Sequence, residues 1–481
     1  MTKTASKSNP KPESVSFADM PRRVDARFDN ARTTSDNSRH WTDADGMSAD
    51  AAYNPEVRKA LRQRARLEVE NNAYARGIVQ TKVNDVVGTG PRLQMITKDE
   101  GFNERFEAEF ESWAREIRLM EKIAVFQSAY MTDGEAFAEM VTNGALEGLV
   151  KLDLNLIECD RVTRSLMGIQ AIDDLTDGID FDRWGNPARY SVLVNHPGDL
   201  NAWTLATETI PARFMLHHFK QLRPEQHRGV SAFAPVLNLF AELRRYTSAV
   251  IAAAETAADF ALLLKTQQPP EEISYGTPFE SLEINKRMMT TLPEGYDPFQ
   301  MKAEQPTNQY KDFVRAIVSQ IARAVNMPFL LAGLDASQHN FASAKLDCRT
   351  YIRDLHMEQR SLEHFMDRIL RMFALEISSR PGFRKARDVV GQHAWMWEQM
   401  AEVDPREAGA NETKLKSMQT SLYELYAAKG QDWLTHGVMQ IAREKKAIKK
   451  HIDPLLTPDD DSQQNEISET DEDIPDDSTD D

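Results

Sequence analysis

The chain has 481 residues, 41% apolar and 28% charged, which is about three ordinary domains by length and enough to bury a core and stay soluble. Its formal charge is −17, yet residues 457–481 hold twelve Asp or Glu and no Lys or Arg, and without them the body stands at −5. A mildly acidic body excludes the basic stripe of a tight nucleic-acid binder, and the composition of the tail predicts disorder over 451–481.

In chain order, residues 1–29 read as a flexible arm. "MTKTASKSNPKPESVSFADM" lacks the apolar h-region of a secretory signal. No apolar run approaches the roughly eighteen residues of a membrane span, and "AVIAAAETAADFALLLK" is cut by Glu255 and Asp259. A soluble, intracellular chain with no membrane contact is expected. Cys159 and Cys348 belong to no CxxC or Cys/His spacing, so neither a disulfide framework nor structural zinc is expected.

From Asn54, "NPEVRKALRQRARLEVENNAYARGIVQTKVNDVVG" predicts two helices broken near Asn71–Asn72. Leu61, Ala65 and Val69 share one face of the first, and Ile78, Val79, Val83 and Val86 line the second. "GTGPRLQ" turns into an extended stretch, and a short helix follows with Phe102, Phe106, Phe110 and Trp113 on one stripe. Between about 133 and 219 the period changes to short alternating runs, mostly antiparallel strands, with "RWGN" (Arg183–Asn186) as a hairpin turn. A helical stretch over 231–265 reaches about 50 Å if unbroken, with seven alanines between Ala249 and Ala261. A Pro- and turn-rich insert (266–308) precedes an amphipathic helix with Tyr310, Phe313, Ile317, Ile321 and Val325 on one side. Pro328 and Gly333 break the pattern, helix resumes over 344–378, and more helix is expected between about 406 and 447. The fold class is α+β, predominantly helical.

Catalytic motifs are weak. "GTGP" lacks the Lys-Ser/Thr of a phosphate loop, and "GVSAF" lacks the second glycine of a GxSxG elbow, leaving Ser231 as a helix N-cap. His217 and His218 should point to opposite faces of a strand. "TDGE" (Thr132–Glu135) reads as a turn with a charged rim; the competing reading is a metal-dependent DNA-processing hydrolase using Asp133 and Glu135. Lys311, Arg315, Ser319 and Arg323 recur every four residues. They form either a solvated face paired with neighbours or a surface for a polyanion or another subunit. No catalytic, metal or cofactor-binding residue is expected.

Five blocks then occur in order: "NNAYARGIVQTKVNDVVGTG" (71–90), "DGEAF" (133–137), "GIDFDRWGNPARYSVLVNHP" (178–197), "RPEQHRGVSAFAPVL" (223–237) and "NMPFLLAGLDASQHNFASAK" (326–345). With them the chain resembles the lambda-type portal proteins of tailed bacteriophages, over about residues 30–375. "NFASAK" (Asn340–Lys345) departs from the family pattern of a tyrosine, a second serine and an arginine, though Phe341, Ala342 and Lys345 keep bulk and charge. The resemblance implies a portal-type fold. Its parts would be an α/β wing (30–230), a first stem helix (231–265), a clip (266–308), a second stem helix (309–326), a tunnel loop (327–343), a wing return helix and connection (344–403) and a helical crown (404–450). It implies a homododecameric ring at one capsid vertex, passing double-stranded DNA without sequence preference during packaging and ejection. Its partners would be the terminase large subunit, a head-completion or adaptor protein, and the major capsid or scaffold protein. Its location would be the virion, with host cytoplasm during assembly. Gln338, His339, Asn340, Lys345, Lys311, Arg315 and Arg323 would face the DNA, and Lys286 and Arg287 would contact the terminase from the clip. Arg223, Pro224, Gln226, Arg228 and Gly229 would form the elbow from wing to stem. A monomeric helical head adaptor or scaffold is the remaining alternative.

Overall fold

Polar caps start the first helices. The computed structural model describes residues 42, 44–163, 176–199, 206–259, 263–266, 296–299, 309–337, 341–397, 405–422 and 437–451. Ser48 caps the single turn α1 (Ala49–Ala52), and Asn54, followed by Pro55, caps α2 (Pro55–Asn71). Asn72 ends α2 in an extended conformation and accepts from Tyr74 N, which starts α3 (Ala73–Val87), so the break falls where the paired asparagines predict it. Gly88 and Gly90, at φ +53° and +90°, turn the chain into β1 (Arg92–Met95). Asp99 caps α4 (Glu100–Glu116), whose Phe102, Phe106, Phe110 and Trp113 are all buried. The next helix, α5 (Leu119–Asp133), has no counterpart in the sequence reading. It closes at Gly134, φ +91°, in the left-handed region that favours glycine.

Six strands follow: β2 (Glu135–Thr142), β3 (Leu152–Ile157), β4 (Ile179–Phe181), β5 (Pro187–Leu193), β6 (Thr207–Pro211) and β7 (Met215–Phe219). They form two three-stranded antiparallel sheets, ordered β3-β2-β7 and β4-β5-β6. Strand alternation splits the first sheet between two cores. Ala136, Ala138, Met140, Leu152, Leu154 and Leu216 face the helices. Phe137, Ile157 and Met215 face the second sheet, meeting Ile179, Tyr190, Val192 and Ile210. The turn at Arg183–Asn186 forms as expected: Asp182 Oδ1 accepts from Trp184 N and Asn186 N, and Gly185 takes φ +79°.

After a 3-10 turn at Ala234–Val236 comes α6 (Leu237–Asp259). The long helix expected over 231–265 is therefore shorter at both ends, about 35 Å. Pro235 has no N–H to give, and Ser231 is not the N-cap expected of it: the 3-10 turn is led by Phe233 without a side-chain cap, and Ser231 Oγ only accepts from Phe233 N ahead of it. At the far end Leu263–Thr266 is a strand, β8, paired with β9 (Tyr296–Phe299); a ladder partner some thirty residues away outweighs the local helical pattern. Next are α7 (Gln309–Ala324), the single turn α8 (Phe329–Ala332) and α9 (Phe341–Ile377), about 55 Å long. Helix α7 thus ends at Ala324 and α9 starts at Phe341, with the single turn α8 between them, so Phe341–Ala342 are helical rather than loop. A short α10 (Ala386–Val389) leads to β10 (His393–Met396), which pairs with β1, Arg92 opposite Met396 and Met95 opposite His393. The last helices are α11 (Pro405–Lys416) and α12 (Met439–His451).

The main core gathers α2 to α5, the start of α6, α7 and α9 against the first sheet. Its centre is aromatic: Phe373 of α9 lies 5.1–5.5 Å from Phe106, Phe110 and Trp113, and Trp113 Nε1 donates to Leu152 O at 2.7 Å. Helix α9 is the spine of this core, burying Tyr351, Leu355, Leu362, Met366, Ile369, Leu370, Phe373 and Ile377.

Candidate functional site

The elbow residues are brought together, though as a buried lock rather than a polar surface turn. Arg228 is 1% exposed. Its Nε and Nη2 donate to Glu135 Oε2 and Oε1 at 2.8 and 2.7 Å, and its Nη1 donates to Asp177 O at 2.6 Å and Val162 O at 3.2 Å. Glu135 also accepts from Gly229 N at 3.1 Å, and His217 Nε2 lies 3.3 Å from its Oε2. Burial alone would raise the Glu135 carboxyl, but Arg228 and His217 beside it hold it well below the usual carboxylate range. Gln226, also buried, accepts from Leu222 N and Arg223 N and donates to Arg228 O. Arg223 donates to Met47 O, and His227 is bound to Asp50 through its backbone N–H and its ring. Gly229 is obligatory, because a Cβ there would stand 2.1 Å from Gly134 O.

The charged rim expected at "TDGE" is instead buried, with Asp133 and Glu135 at 8% and 0% exposure. Arg66 grips Asp133 with two bonds of 2.7 Å, as Arg228 grips Glu135. Both carboxylates that the hydrolase reading requires are thus consumed by guanidinium groups. His217 and His218 do take opposite faces. His218 lies in the main core against Phe126, Tyr130 and Phe365, where burial pushes its imidazole down to about 3. His217 stacks on Phe137 in the second core. Among the described residues, Glu158, Asp160 and His196 lie at metal-ligand spacing. Arg62 and Arg66 already hold both Asp160 oxygens at 2.7 and 2.8 Å. His196 Nδ1 accepts from Gly198 N, and its Nε2 lies 3.1 Å from Glu158 Oε2. That group serves as an ion-pair network.

Helices α6 and α7 pack together, with Tyr246 on Tyr310 and Phe313 at ring distances of 5.7 and 4.4 Å. Beyond Tyr246, Ser248, Ala249 and Ile251–Ala253 of α6 are exposed. Phe313, expected on the buried side, is 46% exposed apart from that ring contact. The chain leaves α7 through Asn326, at φ +55°, with Asn326 N bonded to Arg323 O and Met327 N to Ala322 O. This Schellman closure turns the following segment back along α7. Arg315 then lies 4.6 Å over the Phe329 ring, and Lys311 pairs with Asp335 at 3.7 Å. Arg323 is exposed, and Lys345 is half-buried near the start of α9. Gln338, His339, Asn340, Lys286 and Arg287 lie outside the described residues.

A buried cluster unseen in the sequence holds the end of α7. Lys82, 1% exposed, meets Asp354 at 2.5 Å and Glu358 at 3.3 Å; Asn326 Nδ2 donates to Asp354 Oδ1, and Gln127 to Glu358. Tyr351 donates to Asp85 at 2.7 Å. The one signal for it was a lysine on the apolar face of α3, within two turns of Ile78 and Val86.

A family model described as phage portal protein, lambda family, matches residues 34–359, more than half of the chain. No curated protein matches. Solved chains that are similar include three from gene transfer agent particles. One, in the neck of an empty GTA particle with C6 symmetry, is 15% identical, with 76% of this chain and 92% of that one covered and a TM-score of 0.42. A second, in the virion of a native gene transfer agent particle, is 14% identical, with 77% and 92% covered and a TM-score of 0.42. The third, in the neck of a native GTA particle with C12 symmetry, is 14% identical, with 79% and 94% covered and a TM-score of 0.43.

Proposed function

The chain belongs to the lambda family of phage portal proteins, and from that premise we propose that its copies close into a dodecameric ring at one capsid vertex of the virion. The axial channel of that ring passes the genome inward at packaging and outward at ejection. The observation that carries this reading is the family match itself, which spans the elbow, both helices of the α6–α7 pair and half of α9. Residues 30–230, together with α9, are assigned to the wing, α6 and α7 to the stem, the segment between them to the clip, residues 327–340 to the tunnel loop, and α11 and α12 to the crown. The elbow lock fits a junction that must hold the stem at a fixed angle under load. The exposed Ser248–Ala253 surface fits close approach by a neighbouring subunit's backbone.

DNA that must slide cannot be gripped at many phosphates, since neutralising several at once gives tight, salt-sensitive binding. The charges on this stem match that need: Lys311, itself exposed, pairs with Asp335, Arg315 is laid over an aromatic ring, and Arg323 is exposed. Arg323, with Gln338, His339, Asn340 and Lys345, is assigned to the channel wall. Lys286 and Arg287 are assigned to the terminase contact. The chain supplies no chemistry; the packaging motor is a separate ATPase that docks, as do the head-completion and capsid or scaffold proteins, on the ring. The mass of the purified protein in solution tests this. A closed-ring multiple of the subunit mass is expected, and a subunit that stays monomeric at every concentration and salt overturns it.

A further inference from the structure

Helix α12 is the most cationic element among the described residues, with Arg443, Lys445, Lys446, Lys449 and Lys450 against Glu444. One of its faces is already met by the acidic helix α4: Lys446 pairs with Glu100 at 3.1 Å, and Arg443 acts on Glu107. Lys445 and Lys449, one turn apart on a different face, stay exposed. The chain leaves α12 toward its most anionic segment. Asp459–Asp461 opens a run of twelve acids that contains no basic residue.

We propose that the Lys445–Lys449 face of α12 is the docking surface for the chain's own acidic tail. Reach permits it. The eight residues from His451 to Asp459 span up to about 26 Å extended, more than the roughly 20 Å length of α12, so the first acids can fold back to either lysine. A tether this short gives an effective concentration on the order of millimolar, enough to engage a weak electrostatic site. The tail then occupies, as a polyanion, the part of the molecule best able to hold DNA phosphates. A helix that would otherwise be adhesive is kept from gripping the genome. The contact lies within one chain and does not depend on ring closure.

The test compares the full chain with one ending at Thr457, each with and without K445Q/K449Q, for binding of a short fluorescent duplex at about 0.1 M salt, where the Debye length is about 10 Å. Removing the tail is expected to raise affinity roughly tenfold, and the double substitution is expected to abolish that gain. Equal affinities for the two lengths overturn the proposal. So does a gain that survives K445Q/K449Q, which would mean that the tail repels DNA by net charge without docking on these lysines. Zero-length carboxyl–amine crosslinking of the full chain gives an independent readout. Links from Lys445 or Lys449 to tail carboxylates are expected, and their absence contradicts the docking. The assembly state of the same samples decides neither outcome.

Discussion

Replacing Arg228 by Met tests whether the elbow is a lock. The change keeps most of the volume and removes the charge and both bonds to Glu135. What remains is a carboxylate with no exposed surface, left with Gly229 N at 3.1 Å, His217 at 3.3 Å and the more distant Arg62 guanidinium at 3.9 Å. Removing one partner of a buried pair costs about 3–5 kcal/mol. A second route to the number agrees. If the orphaned Glu135 takes a proton instead, moving a group of ordinary value 4.5 to neutrality at pH 7 costs about 3.4 kcal/mol, at about 1.36 per unit. The sign with pH follows from both states. In the parent, the depressed carboxyl contributes stability above its unfolded value, and that is lost as pH falls. In R228M the protonation cost shrinks to below about 1 kcal/mol at pH 5. Urea midpoints followed by far-ultraviolet circular dichroism should therefore show a deficit of about 3 kcal/mol at pH 7 that narrows markedly at pH 5. E135Q/R228M should be less destabilised than R228M alone. A deficit below about 1 kcal/mol at pH 7, or one of equal size at both pH values, would refute the lock.

Gly229→Ala places a Cβ 2.1 Å from Gly134 O, a backbone atom with nowhere to go, and should lower Tm more than any exposed substitution in the same region. Trp184→Ala, at a hairpin tip where the indole is 73% exposed, should leave stability within about 0.5 kcal/mol in the same melts. His218 refuses a proton until about pH 3, whereas the unfolded chain accepts one near pH 6.5. Stability should fall as pH drops through that window by up to about 1.4 kcal/mol per unit, and His218→Phe should flatten the slope in pH-dependent denaturation. Asn326→Ala forces a Cβ-bearing residue without local hydrogen bonding into the left-handed region at a cost of about 1–2 kcal/mol and also removes the bond to Asp354. Asn326→Gly should recover the backbone part alone, and equal losses for the two would contradict this split.

Local features were legible in the sequence. The Asn71–Asn72 break, the aromatic stripe of α4 and the hairpin at Arg183–Asn186 depend on neighbours within a few residues, and the structure repeats them. Helix α5 was not legible because its buried face carries the polar Gln127 and Asp133 while the apolar Val125 is 57% exposed on the other side, which blurs the apolar stripe. Strand β1 was read as extended, but its partner β10 lies about three hundred residues away, beyond any periodic pattern. The elbow failed in a similar way. An arginine in a polar, glycine-containing run reads as surface, and its interior partners, Glu135, Val162 and Asp177, lie 51 to 93 residues upstream. The family resemblance reached further than the periodicities, because its five blocks carry long-range order that no single helix or strand encodes.

A direct image of the assembled protein is the sharpest test of the ring account. A cryo-electron microscopy map of the purified particles, viewed down the symmetry axis, should show a closed ring with α6 and α7 of every subunit arranged around an axial hole wide enough for duplex DNA. A closed assembly with no through-channel, or one with the α6–α7 pair on its outer rim, would contradict it.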